Sequence, residues 1–257
     1  MLMINVLLHG ACGHMGKEVA AAVKENENLA IVAGVDAFGD AYEDFPIYRS
    51  LDEVREKADV IIDFSTAKAV DGLLAFVNKT KMPVVLCTTG LSDEQVEAVK
   101  KTSETVPVLR SGNMSLGINL MLKLLKIMSG ALVPNGFDPE IVEMHHKRKL
   151  DAPSGTAVML ADAVNEGQGG DMHYVYNRSD RREARDAEEL GISSVRGGTI
   201  PGIHDVIFAG PDEVIEIKHT AYSRGIFAKG AASAAIFLAY KPAGLYDMGD
   251  VIDEAAQ

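Results

Sequence analysis

Hydrophobic positions in the first 110 residues fall into short solid runs separated by stretches with helical spacing. Residues 4–9 form an apolar run that ends in a glycine, the mark of a strand buried on both faces. Residues 15–24 then carry Met15, Val19, Ala22 and Val23 at helical spacing with charges between them. The alternation continues: a strand over 29–35 ending at Asp36, a strand over 60–64, a helix over 67–77 and a strand over 83–86. Ser92-Asp93-Glu94-Gln95 reads as a capping start for a helix over 92–101, and 106–109 is the next strand. Strands separated by helices of this length predict right-handed βαβ units and a doubly wound, Rossmann-type parallel sheet.

The pattern changes after Asn113. Residues 117–132 form a long, mostly apolar helix expected to bridge two domains. Beyond it come a strand over 140–145, a helix over 156–164, and a polar stretch over 166–189 that reads as a solvated loop or short helix. Residues 205–209 and 214–219 flank Gly210-Pro211-Asp212 and predict an antiparallel hairpin. The small, apolar residues of 228–238 predict a helix that returns to pack on the first domain. The expected division is a dinucleotide-binding domain over 1–115 and 228–257, and a smaller α+β substrate domain over 116–227.

Composition narrows the classes. The chain has 257 residues, 47% of them hydrophobic, enough for a substantial core, and a net charge of −12. An acidic protein lacks the basic face that nucleic acid requires. The opening residues lack a basic segment and run straight into the glycine turn, and no apolar run was expected to reach the ~18 residues of a membrane span. Cys12 and Cys87 are too few for a disulfide framework, and no metal-binding pattern is present. These features predict a cytoplasmic protein without a structural metal, and without nucleic acid or membrane as partner.

Gly10-Ala11-Cys12-Gly13-His14-Met15-Gly16 follows the first strand and opens the first helix. Glycines there permit a tight turn, approach of a pyrophosphate and close helix–strand packing, and the helix start offers N–H groups to the anion. The spacing is GxxGxxG rather than GxGxxG. Its position carries more weight, together with Asp36 at the end of the second strand, where a ribose-binding carboxylate belongs. Cys87-Thr88-Thr89-Gly90 and Ser111-Gly112-Asn113-Met114 follow two further strands on the same ligand-binding edge. Cys87 could also be a catalytic thiol, as in a semialdehyde dehydrogenase, although no base lies beside it in sequence.

The richest stretch is Glu143-Met144-His145-His146-Lys147-Arg148-Lys149-Leu150-Asp151-Ala152-Pro153-Ser154-Gly155-Thr156-Ala157. It leaves a strand, concentrates cations and starts a helix. The N–H groups of Gly155 and Thr156 lie at a positive dipole end, suited to a carboxylate. Lys149 can clamp an anion or deliver a proton. His145 and His146 would face opposite sides of a persisting strand and so differ in role. Adjacent histidines rarely reach one metal, which disfavours zinc.

With these motifs the chain resembles the 4-hydroxy-tetrahydrodipicolinate reductase family, also called dihydrodipicolinate reductases. The resemblance runs over nearly the whole length. It takes in the glycine loop, Thr88-Thr89-Gly90, Ser115-Leu116-Gly117-Ile118-Asn119, the block from His145 to Ala157, His219-Thr220-Ala221-Tyr222-Ser223-Arg224 and Gly244-Leu245-Tyr246-Asp247-Met248. It implies reduction of a cyclic dicarboxylate imine with loss of water, with NADH or NADPH as hydride donor, in diaminopimelate and lysine biosynthesis. It further implies His145 and Lys149 as proton-transfer residues, and His146, Gly155 and Thr156 as carboxylate contacts. Gly10, Ala11, Cys12, Gly13, His14, Met15, Asp36, Cys87, Thr88, Thr89, Ser111, Gly112, Asn113, Met114 and Arg224 are the implied dinucleotide contacts. An open mixed sheet in the substrate domain and a homotetramer complete the expectation. Three positions depart from the family's pattern: Cys87 for a frequent Gly, His14 for a basic residue, and Ala37 where some members carry Arg. The last favours NADH. A nucleotide sensor that has lost catalysis is the remaining alternative, and the intact His145, Lys149, Gly155 and Thr156 count against it.

Overall fold

A computed structural model describes residues 3–40 and 42–256. In chain order the elements are β1 (Ile4–His9), α1 (His14–Lys24), β2 (Leu29–Val35), β3 (Ile47–Tyr48), β4 (Val60–Asp63), α2 (Ala67–Thr80), β5 (Val84–Leu86), α3 (Asp93–Ser103) and β6 (Pro107–Arg110). They continue as α4 (Leu116–Leu132), β7 (Asp138–His145), α5 (Gly155–Gly167), β8 (His173–Val175), β9 (Glu189–Arg196), β10 (Gly202–Ala209) and β11 (Val214–Ala221). The chain ends with α6 (Gly225–Leu238), β12 (Gly244–Tyr246) and α7 (Met248–Ala255).

The chain divides into two compact units, one up to Leu116 together with residues from Arg224 onward, the other Gly117–Ser223. Leu116 and residues 224–227 therefore group with the first unit rather than the second. That follows from α6, which starts at Gly225 and packs along α1, β4 and β5.

The first unit is a seven-stranded parallel sheet in the order β12-β6-β5-β4-β1-β2-β3. The order reverses between β1 and β4, the crevice where such sheets bind nucleotides. One sheet face packs Val6, Leu8 and Ile62 against α1, α6 and α7; the other packs Leu7, Ile61 and Leu86 against α2 and α3. The α3 start is a full capping box: Ser92 Oγ accepts from Gln95 N, and Gln95 Oε1 accepts from Ser92 N. The small residues of α6 serve close approach, with Ala228, Gly230, Ala231 and Ala235 all buried.

The second unit is a mixed sheet in the order β11-β10-β7-β9-β8, antiparallel at β10–β11 and β7–β10 and parallel at β7–β9 and β8–β9. Its core joins Met121 and Leu125 of α4, Leu160 and Val164 of α5, and Ile141, Ile192, Val206 and Phe208 of the sheet. Two sequence expectations change here. The polar stretch over 166–189 carries strand β8 and a charge network: Arg178 and Arg185 bond to Glu140, and Arg178 and Arg181 to the fully buried Glu189. Glu189 is held at about 2, chiefly by the Arg181 guanidinium. The helical segment Leu116–Asn135, at 20 residues and mean hydropathy 1.6, is long and apolar enough to cross a membrane, contrary to the expected limit on apolar runs. It carries Lys123 and Lys126, and Lys126 pairs with Glu166 while Met121 and Leu125 enter the core. One face of it packs into the core of the second unit, while Leu120, Leu124 and Ile127 on the other are exposed.

Candidate active site

The dinucleotide half of the site lies in the first unit, along the carboxyl ends of its strands. β1 delivers the chain into Gly10, where φ is +77° and a Cβ would lie 2.5 Å from the Phe64 carbonyl oxygen. Gly16 is equally constrained, since its Cβ would come 2.3 Å from Gly10 O. Gly13 caps α1 from an extended conformation and is exposed, so the loop presents its backbone outward at the helix start. Ala11 is buried, whereas Cys12, His14 and Met15 reach the surface to varying degrees.

Asp36 sits at the end of β2. Its Oδ2 accepts from Cys12 N at 2.9 Å, and its Oδ1 accepts from Phe38 N at 3.0 Å and Gly39 N at 2.9 Å. Burial works to raise this carboxyl, but the three N–H donors outweigh it and keep the group below the usual range. Arg49, which sequence reasoning passed over, braces the same loop through Gly39 O and Asp40 Oδ1. Lys17 Nζ stands 5.4 Å above the Tyr42 ring, whose hydroxyl donates to Ala11 O.

Behind this edge lies a second unforeseen group. Buried Asp63 pairs with His9 Nδ1 at 2.8 Å and accepts from Thr88 Oγ1 at 2.6 Å, tying together the ends of β1, β4 and β5. Thr88 therefore faces inward, while Thr89 and Gly90 are exposed. Cys87 is buried, and burial first and Asp63 second push its thiol well above the ordinary value. A buried thiol raised in this way is a poor thiolate nucleophile, which counts against the semialdehyde-dehydrogenase alternative. In the last loop Ser111 Oγ donates to Asn113 O, Asn113 Oδ1 accepts from Ser115 N, and Met114 is buried. Arg224 is exposed at the start of α6.

The substrate half lies in the second unit, where β7 ends. Residues alternate between sheet faces along a strand, so Glu143 and His145 share the face that packs on α5. The loop after His145 is pinned to its neighbour by His146 N to Ile200 O at 2.8 Å and Gly197 N to His145 O at 2.9 Å. Lys149 is held over the same region, its Nζ 2.9 Å from Asp151 Oδ2. Ser154 caps α5 by accepting from Ala157 N, and its hydroxyl meets His204 Nε2 at 3.1 Å. Gly155 and Thr156 open that helix, and the space a Cβ would fill at Gly155 is empty of protein. The unit thus sets His145, His146, Lys149 and the start of α5 along one continuous segment.

Three partners of this segment went unread in the sequence. Fully buried Glu143 contacts His145 Nδ1 at 2.6 Å, and Arg196 bonds both of its oxygens at 2.8 and 2.6 Å. His204 stacks edge-on to His145 with ring centroids 5.2 Å apart. Burial works to raise Glu143, but Arg196 first, then His145, Ser194 and Ser154, bring it down to about 2. Burial lowers His145 despite Glu143, and burial lowers His204 to about 4, which favours the neutral ring in both. Among the described residues no group of three or more His, Cys, Asp or Glu could hold a metal ion.

Comparison with known proteins covers both units. The pattern that defines "dihydrodipicolinate reductase, N-terminus" matches residues 4–114, and that of "dihydrodipicolinate reductase, C-terminus" matches 117–252. The chain belongs to the dihydrodipicolinate reductase family. It is 51% identical to the 4-hydroxy-tetrahydrodipicolinate reductase of Caldanaerobacter subterraneus subsp. tengcongensis, with 98% of this chain and 99% of that one covered. The Clostridium novyi enzyme of the same name is 46% identical over 97% of this chain and 98% of its own. Among solved structures, dihydrodipicolinate reductase from Paenisporosarcina sp. TG-14, with dipicolinate bound, superposes with a TM-score of 0.79 at 26% identity. That alignment covers 96% of this chain and 98% of the other. A dehydrogenase from Thermotoga maritima, at 13% identity and TM-score 0.58, shares the fold alone.

Proposed function

We propose that this chain reduces 4-hydroxy-tetrahydrodipicolinate to tetrahydrodipicolinate with loss of water, in diaminopimelate and lysine biosynthesis, as a cytoplasmic NAD(P)H-dependent oxidoreductase. The observation that carries this reading is the segment from His145 to Thr156. In an acidic chain it gathers a buried imidazole, a lysine and a helix start beside open space, which is what a dianionic ring substrate requires. His146 and the N–H groups of Gly155 and Thr156 take a substrate carboxylate at the positive end of α5. The bound nicotinamide supplies the hydride. Hydride addition to a conjugated imine leaves electron density that needs a proton; Lys149 is the donor placed for it, and His145 is the second proton-transfer residue, accepting and passing on a proton at its free ring nitrogen. Oxidation of NADH, followed at about 340 nm with substrate generated from pyruvate and aspartate semialdehyde, tests the reading; no turnover with either cofactor would overturn it.

For the cofactor, residues 10–15 cradle the pyrophosphate, Asp36 takes the ribose, and residues 87–89, residues 111–114 and Arg224 complete the contacts. NADH should be used at least as well as NADPH. Asp36 is ionised, and a 2′-phosphate at ~4 Å would be repelled by up to ~4 kcal/mol per unit charge at an effective dielectric near ~20. Ala37 offers no guanidinium, while His14 and Lys17 recover part of the loss, so both cofactors should work. The check is kcat/KM for each at one ionic strength, since salt screens the repulsion. A preference for NADPH above about tenfold, roughly 1.4 kcal/mol, would refute it.

A homotetramer is the expected assembly. The sheet face turned away from α4 and α5 carries Val142, Met144, Ile203, Ile207, Val195 and Val214, the last two 44% and 58% exposed, interspersed with Glu140, Asp205, Glu216 and Lys218. Apolar faces of this kind mark association surfaces. Light scattering at micromolar concentration should report four chains, and a monomer would contradict the proposal.

A further inference from the structure

We propose that Glu143, clamped by Arg196, is a positioning residue that fixes the tautomer of His145 and so makes Nε2 the one ring nitrogen that exchanges a proton with substrate. The inference rests on the role given to His145 above.

Glu143 has no exposed surface, and a buried carboxylate is tolerated only when its lone pairs are matched by donors. Both oxygens are matched. Oε2 meets His145 Nδ1 at 2.6 Å and accepts from Arg196 Nη1 at 2.8 Å. Oε1 accepts from Arg196 Nη2 at 2.6 Å and from Ser154 N at 3.1 Å. An ionised carboxylate can only accept, so His145 Nδ1 must donate. The neutral ring therefore carries its proton on Nδ1 and presents a lone pair at Nε2.

The surroundings keep that second nitrogen clear. A Cβ on Gly202 would stand 3.1 Å from Nε2, so a glycine there leaves the room a side chain would crowd. The same clamp aligns the rest of the segment. Arg196 Nη2 also donates at 2.6 Å to the backbone carbonyl of Asp151, whose carboxylate pairs with Lys149, and the Ser154 bond fixes the residue that caps α5. One carboxylate–guanidinium pair thus references the imidazole, the lysine loop and the helix start to a common frame. The charged and titratable groups facing the ring are Glu143 on its own strand, Arg196 on β9, His204 on β10 and Lys149 in the loop. Of these Glu143 alone favours the imidazolium. Without its charge, His145 should titrate at lower pH, because Lys149 and Arg196 continue to oppose protonation.

The test is ring-nitrogen NMR on the full chain. Wild type should show neutral His145 protonated at Nδ1 and bare at Nε2. Glu143→Gln should move its titration to lower pH and populate the other tautomer. It should also lower kcat by at least about tenfold, with little change in the NADH KM. Glu143→Asp, which keeps the charge, should restore most of the titration shift. A wild-type ring protonated at Nε2, or an E143Q protein whose His145 titrates as in wild type, would overturn the inference. Should E143Q fail to fold, the wild-type spectrum still decides. Full activity in His145→Ala would instead sink the role of His145 itself while leaving the tautomer assignment standing, so the two failures are distinguishable.

Discussion

Lys149→Ala should lower kcat by a factor on the order of 10² or more and raise the KM for the dicarboxylate. The two effects have separate origins. Loss of the ammonium removes a proton source beside the reacting ring, and it also removes a cation facing two negative charges. Lys149 is positioned for both. Its backbone N–H donates to His146 O at 3.0 Å, and its side chain is 21% exposed with the ammonium on Asp151. That ion pair is an ordinary partly solvated one, worth about 1 kcal/mol or less, so a substrate carboxylate can compete for the ammonium. Lys149 is the main hold on Asp151, whose carboxyl it keeps below the usual range. Steady-state kinetics of Lys149→Ala and Lys149→Arg separate the roles. An arginine keeps the charge but releases a proton far less readily, so Lys149→Arg should recover KM more than kcat. Wild-type kinetics in Lys149→Ala would remove the residue from the mechanism.

The nucleotide-binding half was legible because its signals are local. A solid apolar run, a glycine turn and an acid at the next strand end are all short-range features. Ser92-Asp93-Glu94-Gln95 gave a capping box that forms as read. The second half depends on contacts far apart in sequence. Strand β9 was missed because it begins at a glutamate and ends Ser193-Ser194-Val195-Arg196, which reads as polar. Glu189 becomes a buried strand residue only when Arg178 and Arg181 fold over it. Glu143 looked like the polar member of an alternating strand. Its burial becomes affordable through Arg196, 53 residues further on, and no local pattern announces such a pair. His204 had no motif around it, and its part in the site comes from lying across β10 from Glu143 and meeting Ser154. The His145–Thr156 block was legible as chemistry, since its residue types are unusual together; the frame that holds it was not.

Gly230→Ala should destabilise the first unit and weaken dinucleotide binding together, although Gly230 lies in a helix and belongs to none of the sequence motifs. A Cβ at Gly230 would stand 1.7 Å from the Met114 carbonyl oxygen and 2.8 Å from its carbon. Ordinary contact needs more than ~3 Å, so α6 or the loop before α4 must move by over ~1 Å. The helix has little slack: Ala228, Ala231, Ala232, Ala234 and Ala235 are all buried around it. The loop is the softer side, and it is the segment whose Ser111 and Asn113 hold each other in place on the ligand edge. Alanine gains about 1 kcal/mol of helix propensity over glycine, which works against the clash. Overpacking in a tight interior costs about 1–3 kcal/mol, and here the obstacle is backbone rather than a flexible side chain. The clash should win, lowering Tm by a few degrees at about 2–4 °C per kcal/mol for a chain of this size. NADH should bind several-fold more weakly, as read by quenching or enhancement of its own fluorescence. Gly72 supplies the matched control, because it also lies in a helix, α2, and nothing stands within 4 Å of the Cβ it would carry. Gly72→Ala should therefore raise Tm slightly and leave NADH binding alone. Equal behaviour of the two variants would mean that the contact between α6 and Met114 does not shape the cofactor edge.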